Sequence, residues 1–417
     1  MTGPQIIHGN ALALPLADAS VDLIVTSPPY FGLRSYTDGG EHYDGQIGDE
    51  ATPTEFVDAL IAATREMVRV LKPSGSIWVN LGDKYVADNR GSGRDSKRGD
   101  AKHAPRGDGG FVGRETARQK SLIGVPWRYA IRCIDELGLI LRAEVIWSKP
   151  NGLPESVTDR VRRSHETWFH FAVQPRYFSA VDEIREPHES GLHGARRGAR
   201  TDRRADAAAR FVNTHRGLPA QPGDATAFHP MGRLPGSVWT IPTQPLIVPE
   251  HLGIDHFAAF PMEWPRRIIR GWSPSGICVA CVQGRRPVTD VDEPNRRDFA
   301  AGQHRRRGTL ISGGVGTENL GIPAGERNRR ITGYACGCDE PTADTTPAIV
   351  LDPFGGTGTT ALVASVLGRH GISVDMSADY CRLAGWRTSD PGERARAAEM
   401  PKPKPVIIPD GQEVLFS

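Results

Sequence analysis

The sequence of 417 residues lacks long apolar runs, a strong net charge and a large number of cysteines. No uninterrupted apolar stretch reaches the roughly 18 residues of a membrane span. Residues 1–5 contain no basic segment that leads into an apolar core, so a secretory signal is not expected either. The net charge of +2 gives no indication about nucleic acid. The length allows one large α/β domain with a smaller appendage.

Two common nucleotide-binding fingerprints are also absent from the glycine-rich segment at 352–360, Asp-Pro-Phe-Gly-Gly-Thr-Gly-Thr-Thr. It lacks the Gly-x-Gly-x-x-Gly spacing, and no Lys-Ser or Lys-Thr pair closes it as in a P-loop. It does lie between an apolar strand and a helical segment, where glycines let the backbone approach a ligand. The next predicted strand ends at Asp375, a position that commonly binds a ribose diol. The pattern favours a ligand site over a simple tight turn.

A second candidate site follows the apolar run 21–25 and reads Thr26-Ser27-Pro28-Pro29-Tyr30. The two prolines fix φ near −65° and remove two N–H donors, which leaves carbonyl groups facing outward beside the tyrosine ring. Such a turn can hold a planar group with an exocyclic amine, which donates to Ser27 and a proline carbonyl while the ring stacks on Tyr30. For the pentapeptide alone, a strand terminator is the alternative interpretation.

Together and in this order, the two segments resemble the amino-group DNA methyltransferases that use S-adenosylmethionine, in the permuted β arrangement. The catalytic motif of that family is Asp/Asn/Ser-Pro-Pro-Tyr/Phe. Segments 70–79, 144–156 and 256–261 are similar to further parts of the family, and the resemblance covers most of residues 5–390. It implies a Rossmann-like, circularly permuted α/β methyltransferase sheet with helices on both faces, plus basic loops and a small zinc-knuckle-like insertion.

The resemblance also implies the chemistry: methyl transfer from S-adenosylmethionine to the exocyclic amine of a flipped base. Ser27 and the Pro28 carbonyl would accept from the amine, Pro29 would fix the turn, and Tyr30 would stack on the base. Transfer would be direct and driven by positioning, without a strong general base. The implied cofactor-binding residues are Asp352, Phe354, Gly355, Gly356, Gly358, Thr359, Asp375, Phe260, Pro261 and Asn10. Asn10 stands where the family often has aspartate.

The target base is less sharply indicated. Serine at the first motif position is more frequent in cytosine-N4 enzymes and aspartate in adenine-N6 enzymes, so cytosine is favoured over adenine. The Pro-Cys dipeptide of the carbon-methylating cytosine enzymes is absent, and a covalent cysteine mechanism is therefore not expected. Two other classes stay open, an amino-methyltransferase acting on protein or RNA and a non-catalytic DNA-binding protein with a vestigial cofactor site.

Two basic segments indicate where double-stranded DNA would bind. Residues 84–120 contain ten Lys/Arg and five acidic residues, a local net charge of +5 that predicts a mobile basic loop. A second cluster consists of Arg196, Arg197, Arg200, Arg203 and Arg204. Solvated surface is the common alternative, but beside a flipped-base site phosphate binding is favoured.

The predicted organisation follows from these motifs. Residues 1–184 form the catalytic part, 185–250 the target-recognition region, and 251–277 with 339–393 the cofactor-binding part. A Cys-flanked insertion at 278–338 and a tail at 394–417 complete the chain. A cytoplasmic location in a bacterial or phage-infected cell and a cognate restriction endonuclease are expected, whereas the oligomeric state is left open.

The cysteines separate into two groups. Cys278-x-x-Cys281 and Cys336-x-Cys338 could form a tetrahedral thiolate site for structural zinc, with reduced, unligated thiols as the alternative. Cys133 and Cys381 lie in helical patterns and are expected in the core. In the helix predicted at 125–137, Ile131 and Ile134 are expected to be core positions.

Overall fold

The computed structural model describes residues 3–32, 37–38, 41–42, 45–86, 118, 120–152, 154–187, 231–254, 259–291, 329–338, 340 and 343–401. The predictions for residues 87–117, for Arg196, Arg197, Arg200, Arg203 and Arg204, and for 402–417 lie outside these ranges. The chain splits into two compact units. The first takes its described residues from Met1–Ala180, Gly236–Arg286 and Ala335–Ser417, and the second from Val181–Pro235 and Pro287–Tyr334.

The first unit is built on a sheet of eight strands among the described residues. Their order across the sheet is β1-β14-β13-β2-β5-β7-β6-β8. All neighbouring pairs are parallel except those of β7, which runs antiparallel to both β5 and β6. The strands of this sheet are β1 Gln5–His8, β2 Val21–Thr26, β5 Leu71–Leu81, β6 Ile140–Ser148, β7 His165–Ala172, β8 Val238–Thr240, β13 Ile349–Asp352 and β14 His370–Asp375.

The remaining strands form three two-stranded sheets. They are β3 Thr37–Asp38 with β4 Glu41–His42, β9 Ile277–Cys278 with β12 Thr345–Thr346, and β10 Arg286–Val291 with β11 Arg329–Ala335. In the second unit, Arg185 donates to Asp182 Oδ1 at 2.6 Å and to the Gly232 carbonyl at 2.9 Å. These two bonds hold the short 3₁₀ turn Val181–Ile184 within that unit.

The helices form two groups that lie on both faces of the large sheet, as predicted. Helices α1 and α2 contact each other, and α3, α4, α5 and α6 form the second group. A capping box of Thr52 and Glu55 starts α1, which buries an apolar stripe including Phe56, Leu60 and Met67. The helices are α1 Pro53–Val70, α2 Val125–Asp135, α3 Glu263–Trp272, α4 Thr359–Val366, α5 Ala378–Ser389 and α6 Pro391–Ala397. None of the described helices is long and apolar enough to cross a membrane.

The position of β13 confirms the permuted order of the methyltransferase sheet. This strand comes late in the chain, yet it lies at the centre of the sheet between β14 and β2. All six residues of β2 are buried, and so are Val350, Leu351 and Asp352 of β13. Central strands of parallel sheets are covered on both faces, which explains why both strands are mostly apolar in the sequence. The buried Asp22 of β2 forms an ion pair with Lys72 Nζ at 2.7 Å.

The orientation predicted for helix α2 was wrong. Ile131 and Ile134 are 52% and 41% exposed, whereas the helix buries Tyr129, Ala130 and Cys133 against the core. The polar tip of Tyr129 made this face less conspicuous in the sequence, but Thr64 Oγ1 lies 2.8 Å from its hydroxyl and satisfies it. Cys133 is a core residue as predicted, and Cys381 is only partly buried.

Candidate active site

The two predicted motifs meet at one edge of the sheet because β2 and β13 are adjacent and parallel. Leu23 pairs with Val350 and Ile24 with Leu351, so the carboxyl ends of both strands lie side by side. Thr26, the last residue of β2, donates from Oγ1 to Asp352 Oδ1 at 2.6 Å. This buried hydrogen bond joins the start of the Ser-Pro-Pro-Tyr turn to the start of the glycine loop.

A cavity of about 900 Å³ opens at this edge within the first unit. Its volume lies at the upper end of the range typical of small-molecule sites. Most of the predicted site residues line it, namely Ser27, Pro28, Pro29, Tyr30, Asn10, Phe260, Phe354, Gly355, Gly356, Thr359 and Asp375. Asp352, Gly358 and Pro261 are not among the lining residues. The predicted residues His256, Phe257 and Ala258 of the upstream segment lie outside the described residues.

The glycine loop is held by β14 on its far side. A Cβ atom on Gly355 would come within 1.8 Å of Ser373 Oγ, so only glycine fits there. Asp375, at the end of β14, accepts from the backbone N–H of Gly356 at 2.7 Å and of Ser377 at 2.9 Å. The carboxylate therefore fixes the loop as well as facing the cavity.

Gly358 lies at the end of the glycine loop, where α4 begins and packs against α5. Its φ of +71° places it in the left-handed region at the start of α4, and a Cβ there would lie 2.9 Å from Ala384 Cβ. This glycine permits close packing of α4 and α5. We therefore expect Gly358 to act on the cofactor through the loop conformation rather than by direct contact.

Arg387, in α5, binds the threonines of the glycine loop and was not among the predicted site residues. Its guanidinium donates to Thr357 Oγ1 and Thr359 Oγ1, both at 2.7 Å, and to Glu393 Oε2 at 2.8 Å. The side chain is buried, and burial lowers its pKa while the neighbouring Glu393 opposes that shift. Because the guanidinium is satisfied on several sides, it gives the loop a fixed support.

Asp352, predicted to contact the cofactor, has a buried side chain. Its carboxylate accepts from Thr26 Oγ1, from Thr360 Oγ1 at 2.9 Å and from the Phe354 N–H at 3.2 Å. Burial raises the pKa of this carboxyl to about 6, and these hydrogen bonds only partly counteract the shift. In the described structure Asp352 thus ties β2, the glycine loop and α4 together.

The raised pKa of Asp352 leads to a testable pH dependence. Between about pH 4 and 6 the folded protein holds a proton that the unfolded chain releases, so this group should stabilise the fold less as the pH rises through that window. The free energy of unfolding of the wild type minus that of Asp352→Asn should therefore decrease as the pH rises from about 4 to 6. Denaturant titration at several pH values measures both free energies. A carboxyl ¹³C resonance of Asp352 that titrates near pH 4 would contradict the assignment.

The Tyr30 side chain is held in a polar network on the other side of the cavity. Its hydroxyl lies 2.6 Å from Asn80 Oδ1 and 2.7 Å from Glu166 Oε2. A phenol has one proton, so it donates to one of these oxygens at a time. The Ser27 hydroxyl also donates to Asn80 Oδ1, at 3.3 Å. Asn80, at the end of β5, is buried and donates from Nδ2 to the Thr167 carbonyl.

Lys149 extends this network from β6. Its ammonium group forms an ion pair with Glu166 Oε1 and lies 4.1 Å from the centre of the Trp147 ring. Glu166 therefore contacts a cation through one oxygen and the Tyr30 hydroxyl through the other. The side chains of Lys149 and Glu166 are less than one-fifth exposed, so water screens the pair only in part.

Comparison with known families decides how this geometry is classified. The family model described as DNA methylase, of the N6/N4 type, matches residues 21–280 and 345–385, which is more than half of the chain. The chain belongs to the N6/N4 DNA methylase family. The match includes both the Ser-Pro-Pro-Tyr turn and the glycine loop.

Curated members of the family share part of their length with this chain. The type II methyltransferase M.Cfr9I of Citrobacter freundii is 40% identical over 194 residues, which cover 46% of this chain and 61% of that protein. M.SmaI of Serratia marcescens is 39% identical over 189 residues, covering 44% and 60%. The chain thus aligns with less than two thirds of the length of these relatives.

A solved structure extends the comparison to the fold. The PvuII DNA methyltransferase, described as cytosine-N4-specific, superposes with a TM-score of 0.50 and 17% identity, covering 96% of this chain and 91% of that one. At this identity the match shows a shared fold.

The residues at the edge of the sheet fit S-adenosylmethionine, the cofactor of these methyltransferases. The backbone of Gly355 and Gly356 reaches the cavity without side chains, and Asp375 offers carboxylate oxygens suited to ribose hydroxyls. Phe260 and Phe354 provide apolar surface for an adenine ring. Asn10 also lines the cavity, although its Oδ1 accepts from the Leu12 N–H at 2.9 Å.

The four cysteines flanking the predicted insertion lie apart from this cavity and come together. Their sulfur atoms all lie within 4.8 Å of one another, and Cys278 is buried while the others are partly exposed. Backbone N–H groups of Cys281 and Ala280 hold the pKa of the Cys278 thiol below its ordinary value. The described part of this family member thus contains one group of thiols able to bind a metal.

Sequence reasoning missed four polar residues of the site: Asn80, Lys149, Glu166 and Arg387. Two of them, Lys149 and Glu166, lie at the ends of the antiparallel strands β6 and β7, which pair along their whole length. Their positions at strand ends that lie at the same edge of the sheet could have indicated that Lys149 and Glu166 belong to the site. Arg387 had no such signal, because a single arginine in a helix is usually a surface residue.

Proposed function

We propose that this chain is a DNA methyltransferase that transfers a methyl group from S-adenosylmethionine to N4 of a flipped cytosine. The observation that carries the proposal is the shared cavity. The Ser27–Tyr30 turn lines one part of it, and Gly355, Gly356 and Asp375 line another. Membership of the N6/N4 family supports an exocyclic amine as the methyl acceptor.

Ser27 and Asn80 explain how the amine is prepared for attack. The lone pair of an aromatic amine is delocalised into the ring, so the nitrogen is a poor nucleophile until acceptors hold its hydrogens. Because the Ser27 hydroxyl donates its proton to Asn80 Oδ1, the Ser27 oxygen keeps lone pairs for the amine. The Pro28 carbonyl is the second acceptor. The nitrogen forms its bond to the methyl carbon as the carbon–sulfur bond of the donor breaks to leave a neutral thioether, and the nitrogen then releases one proton to solvent water. The cofactor supplies that methyl group from a positively charged sulfur.

Positioning dominates the proposed catalysis. Tyr30 stacks on the flipped base, and its hydroxyl is fixed by Asn80 and Glu166. Correct placement of two reacting groups can contribute several kcal/mol to the lowering of a barrier. This chemistry needs acceptors and a stacking surface rather than a strong base.

Cytosine is proposed over adenine for two reasons. Serine occupies the first position of the motif, which favours cytosine N4 in this family. The PvuII enzyme, whose fold this chain shares, is described as cytosine-N4-specific. The proposed substrate is duplex DNA, held in part by the arginine cluster predicted at 196–204, with a cognate restriction endonuclease in the same cytoplasm.

Product analysis tests the proposal directly. Purified protein, methyl-labelled S-adenosylmethionine and bacterial genomic DNA should give labelled N4-methyldeoxycytidine after digestion to nucleosides. Ser27→Ala should reduce labelling by roughly 10²-fold, as expected for loss of a group that contacts the reacting atoms. Ser389→Ala, an exposed serine at the end of α5, should keep the wild-type rate.

The alternative products separate the remaining hypotheses. Label found only in N6-methyldeoxyadenosine would overturn the choice of cytosine. Label in added RNA or protein, but not in DNA, would overturn the DNA substrate. Absence of transfer to any of the three, with wild-type cofactor binding, would favour a non-catalytic DNA-binding protein.

A further inference from the structure

The distances among the four cysteine sulfur atoms match those of a metal–thiolate tetrahedron. Zinc binds thiolate sulfur at about 2.3 Å, so four sulfurs in a tetrahedron around it lie about 3.8 Å apart. The Sγ atoms of Cys278 and Cys338 are 3.9 Å apart, and those of Cys336 and Cys338 are 3.3 Å apart. All four sulfurs lie within 4.8 Å of one another, so small side-chain adjustments complete the tetrahedron.

A tight hairpin presents the first pair of cysteines. The Cys278 N–H donates to the Gln283 carbonyl at 3.0 Å, and the Val282 N–H donates to the Cys278 carbonyl at 2.9 Å. Val282 has a φ of +58°, which is rare for a β-branched residue and shows that the turn is constrained.

We propose that Cys278, Cys281, Cys336 and Cys338 bind one structural Zn²⁺ ion. Thiolates are soft ligands, and a tetrahedron of four of them selects zinc or iron over magnesium and calcium. With four protein ligands no coordination position is left for a substrate or a water molecule, as in other structural zinc sites.

The location of the cluster in the fold also indicates a structural role. Cys278, in β9, pairs with Thr345 of the antiparallel strand β12. The Val279 N–H donates to the Asp344 carbonyl at 3.0 Å. Strand β12 comes just before the amino end of β13, whereas the glycine loop leaves β13 at its carboxyl end. The ion would therefore lie on the side of the sheet away from the active-site edge.

The ion would connect two points that are distant in the sequence. The chain leaves the cluster after Cys281 and returns to it at Cys336. Closing such a long loop has an entropic cost, and metal–thiolate bonds can offset it. Arg285 contributes to the same junction, because its backbone N–H donates to the Gly276 carbonyl at 2.9 Å and its side chain donates to the Ala343 carbonyl.

Metal analysis of the full chain tests the proposal. Protein purified under reducing conditions with zinc supplied should contain about one zinc ion per chain after gel filtration. Replacement by Co²⁺ should give the intense visible bands of tetrahedral cobalt, with sulfur-to-metal charge transfer in the near ultraviolet. This measurement uses the wild-type protein, so it does not depend on the folding of a variant.

Substitutions then assign the ligands. Cys281→Ser and Cys336→Ser should each lower bound zinc by about tenfold or more and lower the temperature of unfolding. Cys381→Ser is the matched control, since Cys381 lies in α5 outside the cluster and should leave the stoichiometry unchanged. The proposal is overturned if the reduced wild type contains no zinc, if it contains iron instead, or if both variants retain the full ion.

Discussion

Replacing Tyr30 with alanine is expected to lower kcat/KM for DNA methylation by about 10²-fold. The tyrosine is proposed to stack on the flipped base, and such a contact contributes roughly 1–3 kcal/mol, or about 5- to 150-fold. Loss of the ring also removes the hydroxyl that links Asn80 to Glu166. Single-turnover and steady-state rates on a duplex containing a methylation site would measure the effect, and the affinity for S-adenosylmethionine should change little.

Two further variants distinguish the contribution of the Tyr30 ring to the methylation rate from that of its hydroxyl. Tyr30→Phe keeps the stacking surface and should lose about tenfold, the effect of about one lost hydrogen bond. Gly82→Ala keeps the tyrosine itself, but the new Cβ would come within 2.5 Å of the Tyr30 ring and should displace it. The rate of DNA methylation by this variant should therefore be as low as that of Tyr30→Ala. If Tyr30→Ala methylates DNA at the wild-type rate, the stacking role is wrong, whatever Tyr30→Phe does.

The local patterns of the sequence were sufficient to predict the strands β2 and β13 and the two turns after them, which line one cavity. Residues 21–25 are buried on all sides, so they are apolar except for Asp22, which forms an ion pair with Lys72, and the turn after them carries predicted site residues. The parallel arrangement of β2 and β13 then brings the two turns together at one edge. This step rests on topology, which the family resemblance supplied and which the apolar pattern alone does not define.

The network behind the turn could not be predicted in the same way. Asn80, Glu166 and Lys149 come from three strands, and their meeting depends on the register of β5, β6 and β7. A single asparagine after an apolar strand has no distinctive local pattern. The orientation of α2 was missed for a related reason, because tertiary packing determined which face became buried. Ile131 and Ile134 are the larger apolar residues, yet the face that contacts the core contains Tyr129 and Cys133.

Asp352 has a structural role that its place in the motif does not reveal. The resemblance implies contact with the cofactor, and in the structure the buried carboxylate accepts hydrogen bonds from Thr26 and Thr360. Its position explains why the motif begins with an acid, because both carboxylate oxygens are needed to join two strands and a helix. The residues of the motif that line the cavity come after Asp352, where the glycines expose the backbone.

Gly355→Ala is expected to lower the affinity for S-adenosylmethionine on the order of 10- to 100-fold. The added Cβ would lie 1.8 Å from Ser373 Oγ and 3.3 Å from Ser373 Cα, so the glycine loop must move away from β14. Overpacking of this kind typically costs about 1–3 kcal/mol. Displacement of the loop would also disturb the bond between the Gly356 N–H and Asp375. Isothermal titration calorimetry with S-adenosylmethionine measures the loss.

Compensation at Ser373 distinguishes this clash from a general loss of stability. In Gly355→Ala/Ser373→Gly the nearest remaining atom of residue 373 is its Cα, so cofactor affinity should recover in part. Gly368→Ala is the matched control for backbone strain: its φ is +76°, no atom lies within 4 Å of the new Cβ, and it does not line the cavity. That variant should unfold at a lower temperature and still bind the cofactor normally. Equal losses of affinity in Gly355→Ala and Gly368→Ala would show that the fit between the glycine loop and β14 does not control cofactor binding.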